Sequence, residues 1–379
     1  MTTTPHHAGS LSLYALQQRS LEVITSLQAA NGAYPASPTF SAYQGYCWFR
    51  DGAFIADGVS AAGEQSSASR FFDWCAGVVE RHQDSILAAV AAADAGTLLP
   101  PAKMLPARFT MDGDLGTDDW WDFQLDGYGT WLWAVTQHAE RHGLPLDRWR
   151  PAAQLTVDYL TRSWDRPCFD WWEEHDEHVH VSTLGCVAAG LRAAVTSGLI
   201  DGRRRTAAER AVEQIDALIE KKGVVDGHLV KWLGTDAVDG SLAALVAPLG
   251  VIDPTSDVAT RTVEELTSQL SAQGGVYRFR ADTFYGGGRW PLLTCFLGLA
   301  HAARGDLEAA DRCLRWAAAT ATAEGHLPEQ VDGLLLAPDR RAEWLDRWGT
   351  VATPLLWSHA MVLRLAAELH HDDPAEVNA

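Results

Sequence analysis

The chain has 379 residues, 47% of them hydrophobic, with a formal net charge of -19 and a sequence pI near 5.0. That length allows one large domain or two to three ordinary ones. Such acidity repels phosphate backbones and argues against a nucleic-acid partner, whereas a neutral ligand such as a sugar carries no charge penalty.

Residues 1–10 are polar and contain no apolar core, and no later stretch reaches 18 uninterrupted apolar residues. Neither a signal peptide nor a membrane span is therefore expected. In chain order, residues 11–29 show apolar positions at helical spacing, with Asn31-Gly32 as a stop. A short helix is predicted over 54–62, after a turn at Arg50-Asp51-Gly52, and one long amphipathic helix over 66–93. Residues 98–114, with Pro100-Pro101 and Met111-Asp112-Gly113, read as an excursion with short strands. Helices follow over 125–141, 147–163, 181–197 and 203–222, then a hairpin over 224–232. Residues 241–249 are short and apolar, and 256–270 are amphipathic. The stretches 291–304 and 306–323 are separated only by Gly305, and 354–370 form the last helix. Residues 372–379 are a polar tail.

The result is about twelve helices with almost no strand, joined alternately by short and long connections. The long connections, 42–52, 107–126, 168–180, 273–290 and 325–348, carry every unusual motif. A toroid of helical hairpins with its functional loops at one end accounts for this pattern. No linker or composition break divides it, so the chain is read as one catalytic domain over 1–379 with polar tails at 1–10 and 372–379.

Six cysteines, Cys47, Cys75, Cys168, Cys186, Cys295 and Cys313, are far apart with no C-x-x-C pair, and several lie in apolar helical context. They read as reduced, which places the protein in the cytoplasm. The 16 tryptophans supply flat apolar rings that suit the C–H faces of a pyranose, although core filling is the simpler reading for most.

The densest chemistry is Asp170-Trp171-Trp172-Glu173-Glu174. Adjacent Glu173 and Glu174 point different ways on any backbone and cannot form one acid/base pair. A second carboxylate must come from elsewhere, and Glu329 in His326-Leu327-Pro328-Glu329-Gln330 is the candidate. A buried acid and a carboxylate in a tryptophan-walled pocket are the chemistry of glycosidic bond cleavage. The alternatives are a solvated acidic loop or a metal site from His175, Asp176, His178 and His180, whose spacing matches no standard zinc signature.

Cys47-Trp48-Phe49-Arg50-Asp51 offers a fork of hydrogen bonds to neighbouring hydroxyls, or else a helix cap beside a surface arginine. The stretch from Trp120 to Gly127 is too polar for core and too aromatic for ordinary surface, and fits a pocket wall. In Arg278-Phe279-Arg280-Ala281-Asp282-Thr283-Phe284-Tyr285, the aromatics offer faces to a ligand. The run Gly286-Gly287-Gly288 lets backbone come close to one. Ser358-His359 is not read as a nucleophile pair, because adjacent helical residues do not face each other.

Taken together, these motifs resemble the family 15 glycoside hydrolases, the glucoamylase family. The matching pieces, in matching order, are Trp48-x-Arg50-Asp51, Gln124-x-Asp126-Gly127, Trp172-Glu173-Glu174, Arg278-x-x-x-Asp282-Thr283 with Trp290, Pro328-Glu329-Gln330 and Trp357-Ser358-His359-Ala360. The resemblance implies an all-α fold, a single (α/α)6 barrel. It implies Glu173 as general acid and Glu329 as general base, with Glu174 binding the next sugar. Arg50 and Asp51 would hold the terminal glucose, beside Trp48. Trp120 and Trp172 would line the pocket, and Arg278 and Trp290 would surround the leaving sugar.

Two positions depart from the fungal pattern. Phe284 stands where those members have tyrosine. Gln44 stands where they have a tyrosine near the attacking water, leaving Tyr43 or Tyr46 as the substitute. The compact length and missing signal look most like barrel-only bacterial isomaltose glucohydrolases. The reading is then a monomeric, inverting exo-hydrolase of short α-1,6-glucosides with no metal or other cofactor and no membrane or nucleic-acid partner. A maltose- or trehalose-cleaving enzyme and a non-catalytic sugar-binding barrel are the alternatives.

Overall fold

The computed structural model describes residues 11–120 and 123–370, so both tails and the Trp121-Asp122 pair lie outside the described residues. Fourteen α-helices are present among the described residues. They are α1 Leu13–Leu27, α2 Phe49–Ala61, α3 Gln65–Arg81, α4 Gln83–Asp94, α5 Asp126–His142, α6 Arg150–Leu160, α7 Val181–Thr196, α8 Gly202–Leu218, α9 Ala243–Val246, α10 Asp257–Leu270, α11 Pro291–Ala303, α12 Leu307–Ala318, α13 Arg341–Trp348 and α14 Leu356–Glu368. None is long and apolar enough to cross a membrane.

Six of them, α2, α5, α7, α9, α11 and α14, touch in succession and close an inner ring, with α14 packed back on α2. The outer ring is α1, α3, α6, α8, α10 and α12. This double ring is an (α/α)6 barrel. Composition decides which helices go inside. In α11 every residue from Pro291 to Ala300 is buried, whereas outer α8 buries only Ala208, Ala211 and Ile215. The inner helices approach closely through small residues. A Cβ on Gly129 of α5 would run into the Cys186 carbonyl of α7, and one on Gly58 of α2 into the Ala360 carbonyl of α14. Phe54, Phe296, Trp171 and Trp357 pack ring on ring and fill the barrel axis. One apolar cluster runs from Leu16 to Ala366.

Every outer-to-inner connection is long and every inner-to-outer one is short. The long ones therefore all arrive at the N-terminal end of the inner ring. There β1 Tyr46–Trp48 pairs antiparallel with β2 Arg108–Thr110. The predicted hairpin is β3 Val224–Val225 with β4 His228–Leu229.

Several expectations need correction. Arg50, Asp51 and Gly52 are not a turn but the first turn of α2, where a Cβ on Gly52 would strike the Phe71 ring. The stretch 66–93 is two helices that break at His82. The connection before α11 holds a three-stranded sheet, β5 Ser271–Ala272, β6 Gly275–Tyr277 and β7 Arg289–Trp290. Helix α13 lies inside a stretch read as loop.

Candidate active site

Glu173 sits on a tight turn before α7. The Glu173 N–H donates to the Asp170 carbonyl (3.0 Å), and the Asp170 N–H donates to the Glu174 carbonyl (3.0 Å). The carboxylate of Asp170 closes the turn, its Oδ1 accepting from the N–H groups of Trp172 and Glu174 at 2.9 Å each. Glu173 (φ 61°) and His175 (φ 58°) are both left-handed, a conformation that costs a non-glycine residue about 1–3 kcal/mol and needs a surrounding framework to persist. That framework is Lys231, whose Nζ lies 3.0 Å from Asp170 and 2.6 Å from Asp239. Asp239 in turn accepts from Trp172 Nε1 at 2.9 Å. All three charged groups are 3% exposed at the side chain. The turn sends the two neighbouring carboxyls apart. Glu173 accepts from Trp48 Nε1 (2.5 Å) and Trp120 Nε1 (3.1 Å). Glu174 reaches Arg278 Nη2 at 3.4 Å.

Glu329 is set by α14. Its N–H donates to the Ala352 carbonyl, and Ser358 Oγ donates to the Pro328 carbonyl at 2.8 Å. The Leu327 N–H donates to His359 Nε2 at 2.9 Å. That leaves Nδ1 to carry the proton and donate to Ser20 Oγ (2.8 Å). The Trp357-Ser358-His359-Ala360 motif is thus a clamp on the backbone before Glu329. The Tyr43 hydroxyl donates to Glu329 Oε1 at 2.8 Å, while buried Oε2 has no partner among the described residues. Of the two tyrosines considered beside Gln44, Tyr43 is the one that meets Glu329. Gln44 turns away to the Pro38 carbonyl.

The remaining motifs resolve into supports. Arg50 Nη1 donates to Gln124 (2.7 Å) and Asp126 (3.2 Å). This explains the Gln124-x-Asp126 spacing and turns Arg50 Nη2 toward Asp51, at 3.2 Å. Asp282 takes Arg278 in a two-pronged grip, Nε at 2.9 Å and Nη2 closer still. Gln330 accepts from the Gly288 N–H and donates to the Phe284 carbonyl. The run Gly286-Gly287-Gly288 therefore serves this packing. A Cβ on Gly288 would meet Gln330, and one on Gly287 the Asp282 carbonyl. The glycines do not line the cavity, which corrects the expectation that they make room for a ligand.

All ten residues singled out from the sequence line one cavity of about 340 Å³: Trp48, Arg50, Asp51, Trp120, Trp172, Glu173, Glu174, Arg278, Trp290 and Glu329. Eight of the 16 tryptophans line it, more than a core-filling role would place there. An aromatic collar surrounds it, each ring next to the following one: Trp48, Trp120, Trp348, Trp344, Phe284, Trp290 and Trp172, with centroids 5.0–6.3 Å apart. Glu173 closes the gap, being bonded to Trp48 and adjacent to Trp172. Trp344, Trp348, Trp357 and Tyr43 were not among the ten. The i, i+4 spacing of Trp344 and Trp348 was a readable signal for two of them. His178 stacks on Trp232 with centroids 4.3 Å apart, and His180 Nε2 bonds to the His175 carbonyl.

Burial pushes both Glu173 and Glu329 upward, Glu173 to about 7 and Glu329 to about 8. Arg50 and the Trp48 N–H pull Glu173 back, and Tyr43 and Arg278 pull Glu329 back. The like charge that adds to burial at Glu173 is Asp51, not Glu174 as its sequence position suggests, because Glu174 is turned onto Arg278. The chemistry open to such a site is proton transfer between two carboxyls and a neutral, hydroxyl-rich ligand held against indole faces.

Comparison with known proteins identifies the family. The model of the glycosyl hydrolases family 15 matches residues 10–327. The isomaltose glucohydrolase of Kribbella flavida is 53% identical over 385 aligned positions, which cover 100% of both chains. A solved glycosidase variant in complex with glucose is 54% identical with a TM-score of 0.93, covering 94% of this chain and 97% of that one. A bacterial glucoamylase solved with acarbose is 20% identical with a TM-score of 0.73, covering 96% of this chain and 57% of that one, and shows the same fold. The chain is a glycoside hydrolase and belongs to the glycosyl hydrolases family 15.

Proposed function

We propose that this protein is an inverting exo-α-glucosidase that releases β-D-glucose from the non-reducing end of short α-1,6-glucosides, isomaltose first among them. The observation that carries the proposal is the pair of buried carboxyls, Glu173 and Glu329, on separate loops around one tryptophan-walled cavity. The filled barrel axis beneath makes that cavity a dead end, which suits removal of a terminal sugar.

In this scheme Glu173, protonated, gives its proton to the glycosidic oxygen as the bond from that oxygen to the anomeric carbon breaks. A water attacks the anomeric carbon from the opposite face, and ionised Glu329 takes the proton the water loses. The products are β-glucose and the leaving sugar with its hydroxyl restored. Inversion needs room for the water, so the two carboxyls work at about 6.5–9.5 Å apart. The unpartnered Glu329 Oε2 is the acceptor for that water, with Tyr43 holding the other oxygen. Burial raises both carboxyls in the empty site. Positive charge developing at the anomeric carbon favours the Glu329 anion, and the glycosidic oxygen favours the acid form of Glu173. Arg50 and Asp51 hold the terminal glucose, and Glu174, Arg278 and Trp290 meet the next one. Two carboxyls and a water balance the reaction without a cofactor.

The 53% identity to a protein named isomaltose glucohydrolase supports the α-1,6 assignment. A cavity at the low end of the usual ligand-pocket range supports a short substrate. Six free, buried cysteines support a reducing compartment, the cytoplasm. The large apolar cluster running from Leu16 to Ala366 supports one catalytic unit, and we read it as acting as a monomer. The test is a panel of isomaltose, maltose and trehalose scored for glucose. The expected kcat/KM for isomaltose exceeds that for maltose by about tenfold, equivalent to about 1.4 kcal/mol of transition-state binding. Faster cleavage of maltose, soluble starch or trehalose overturns the linkage assignment and leaves the catalytic pair standing.

A further inference from the structure

Helix α13 stands apart from the barrel it belongs to. It has no fully buried residue and packs mainly on the turn at Phe284–Gly286 and the one at Pro338–Arg340, with Trp348 also meeting Phe40 and Trp120. Trp344 Nε1 donates to the Thr283 carbonyl (2.8 Å), and the Tyr285 hydroxyl donates to the carbonyl of Gly349, just past the helix end (2.9 Å). With four residues between them, Trp344 and Trp348 lie on one face, and both line the cavity. On the charged flank, Arg340 and Glu343 are exposed, and exposed Arg347 lays its guanidinium over Trp348, 4.4 Å from the ring centre. An eight-residue helix with no fully buried residue, which rests Trp344, Leu345 and Trp348 on the edge of the core and presents the two half-buried indoles to a sugar cavity, is placed for contact with a ligand.

From these contacts we infer that Trp344 and Trp348 form the ledge on which the leaving sugar stacks, and so set how much binding energy the second ring supplies. This rests on the reading of the cavity as an α-glucoside site. Depth assigns the ledge to the second sugar and not the first. The terminal glucose must reach Arg50, which is 4% exposed, whereas Trp344 and Trp348 are only half-buried, on a helix with no fully buried residue. Trp348 also stacks on Trp120 with centroids 6.0 Å apart and planes 28° from parallel, and Trp120 holds Glu173. A ring attached to the oxygen that Glu173 protonates therefore meets Trp120 and Trp348 next. The indole face takes the C–H face of that ring with little regard to its hydroxyls.

Binding separates this role from damage to the acid. In a Glu173→Gln background, which slows turnover by at least about 10²-fold, isothermal titration compares glucose with isomaltose. Adding Trp348→Ala or Trp344→Ala is expected to raise the isomaltose Kd about tenfold while the glucose Kd changes by less than twofold. Trp348→Phe, which keeps a flat apolar face, is expected to recover most of the loss. Equal weakening of both sugars, or no change in either, overturns the ledge. Maltose titrated in parallel keeps the two claims apart. If the tryptophan variants weaken maltose and spare glucose while isomaltose fails to bind, the ledge stands and the α-1,6 assignment falls.

Discussion

Replacing Lys231 by methionine removes the cation that bridges Asp170 and Asp239 while keeping an unbranched apolar stem of similar volume. The Nζ lies 3.0 Å and 2.6 Å from the two carboxylates and 3.6 Å from the centre of the Phe279 ring, all out of water. Deleting one partner of a buried ion pair leaves an uncompensated charge and costs about 3–5 kcal/mol. Unfolding entropy of about 2.1 cal/mol/K per residue gives about 0.8 kcal/mol/K for 379 residues, so Tm is expected to fall by about 4–6 °C. The functional consequence follows the same contacts. Without Lys231, Asp170 no longer holds the Trp172 and Glu174 N–H groups as firmly, and the left-handed Glu173 loses its support. A displacement of the acid by about 1 Å is expected to lower kcat on isomaltose by about 10²-fold. On α-glucosyl fluoride, whose leaving group needs no proton, the loss is expected to stay within about threefold. Calorimetry and steady-state kinetics on the two substrates check this. A variant with the lower Tm but unchanged kcat on isomaltose would refute the reasoning, because Asp170 would then hold the turn unaided.

The acid itself makes a sharper contrast. Glu173→Gln is expected to lower kcat on isomaltose by at least about 10²–10⁴-fold and to spare glucosyl fluoride. The same pattern from Glu174→Gln instead would move the acid one residue along the chain. The pH profile of kcat/KM, which reports the free enzyme, is expected to be a narrow bell. Its acid limb near 7 and its alkaline limb near 8 belong to Glu173 and Glu329 as a pair. Below the acid limb both carboxyls are protonated and no base remains, so at pH 5 the value falls about 100-fold. Above the alkaline limb no proton remains to donate. A profile flat down to pH 5 would show that the carboxyls are not held up by burial.

Much of this site was legible in the sequence because its parts are contiguous motifs. Trp172-Glu173-Glu174 and Pro328-Glu329-Gln330 announce their carboxyls, and the alternation of long and short connections places them at one end of a helical toroid. What the sequence hid depends on contacts between distant segments. Lys231 looks like any lysine in a hairpin until the fold sets it between Asp170 and Asp239. The left-handed turn at Glu173 has no glycine to mark it. Helix α13 reads as loop because Arg341-Ala342-Glu343-Trp344-Leu345-Asp346-Arg347-Trp348 carries only a two-turn apolar stripe, Trp344, Leu345 and Trp348, too short to announce a core helix. Its aromatic face serves the cavity instead. The break at His82 escaped notice because apolar periodicity runs through it without glycine or proline. Gly52 misled in the opposite sense. It marks no turn, and its missing side chain makes room for Phe71 within a helix.

The stereochemistry of the first product tests the roles given to Glu173 and Glu329 more directly than any substitution. Proton NMR of isomaltose hydrolysis, followed at enzyme concentrations high enough to outpace mutarotation, resolves the two anomers of released glucose. Attack by a water activated at Glu329 is expected to give the β-anomer first, with the α-anomer growing in only as mutarotation proceeds. The α-anomer appearing first would contradict a single displacement by water, and with it the role of Glu329 as the base.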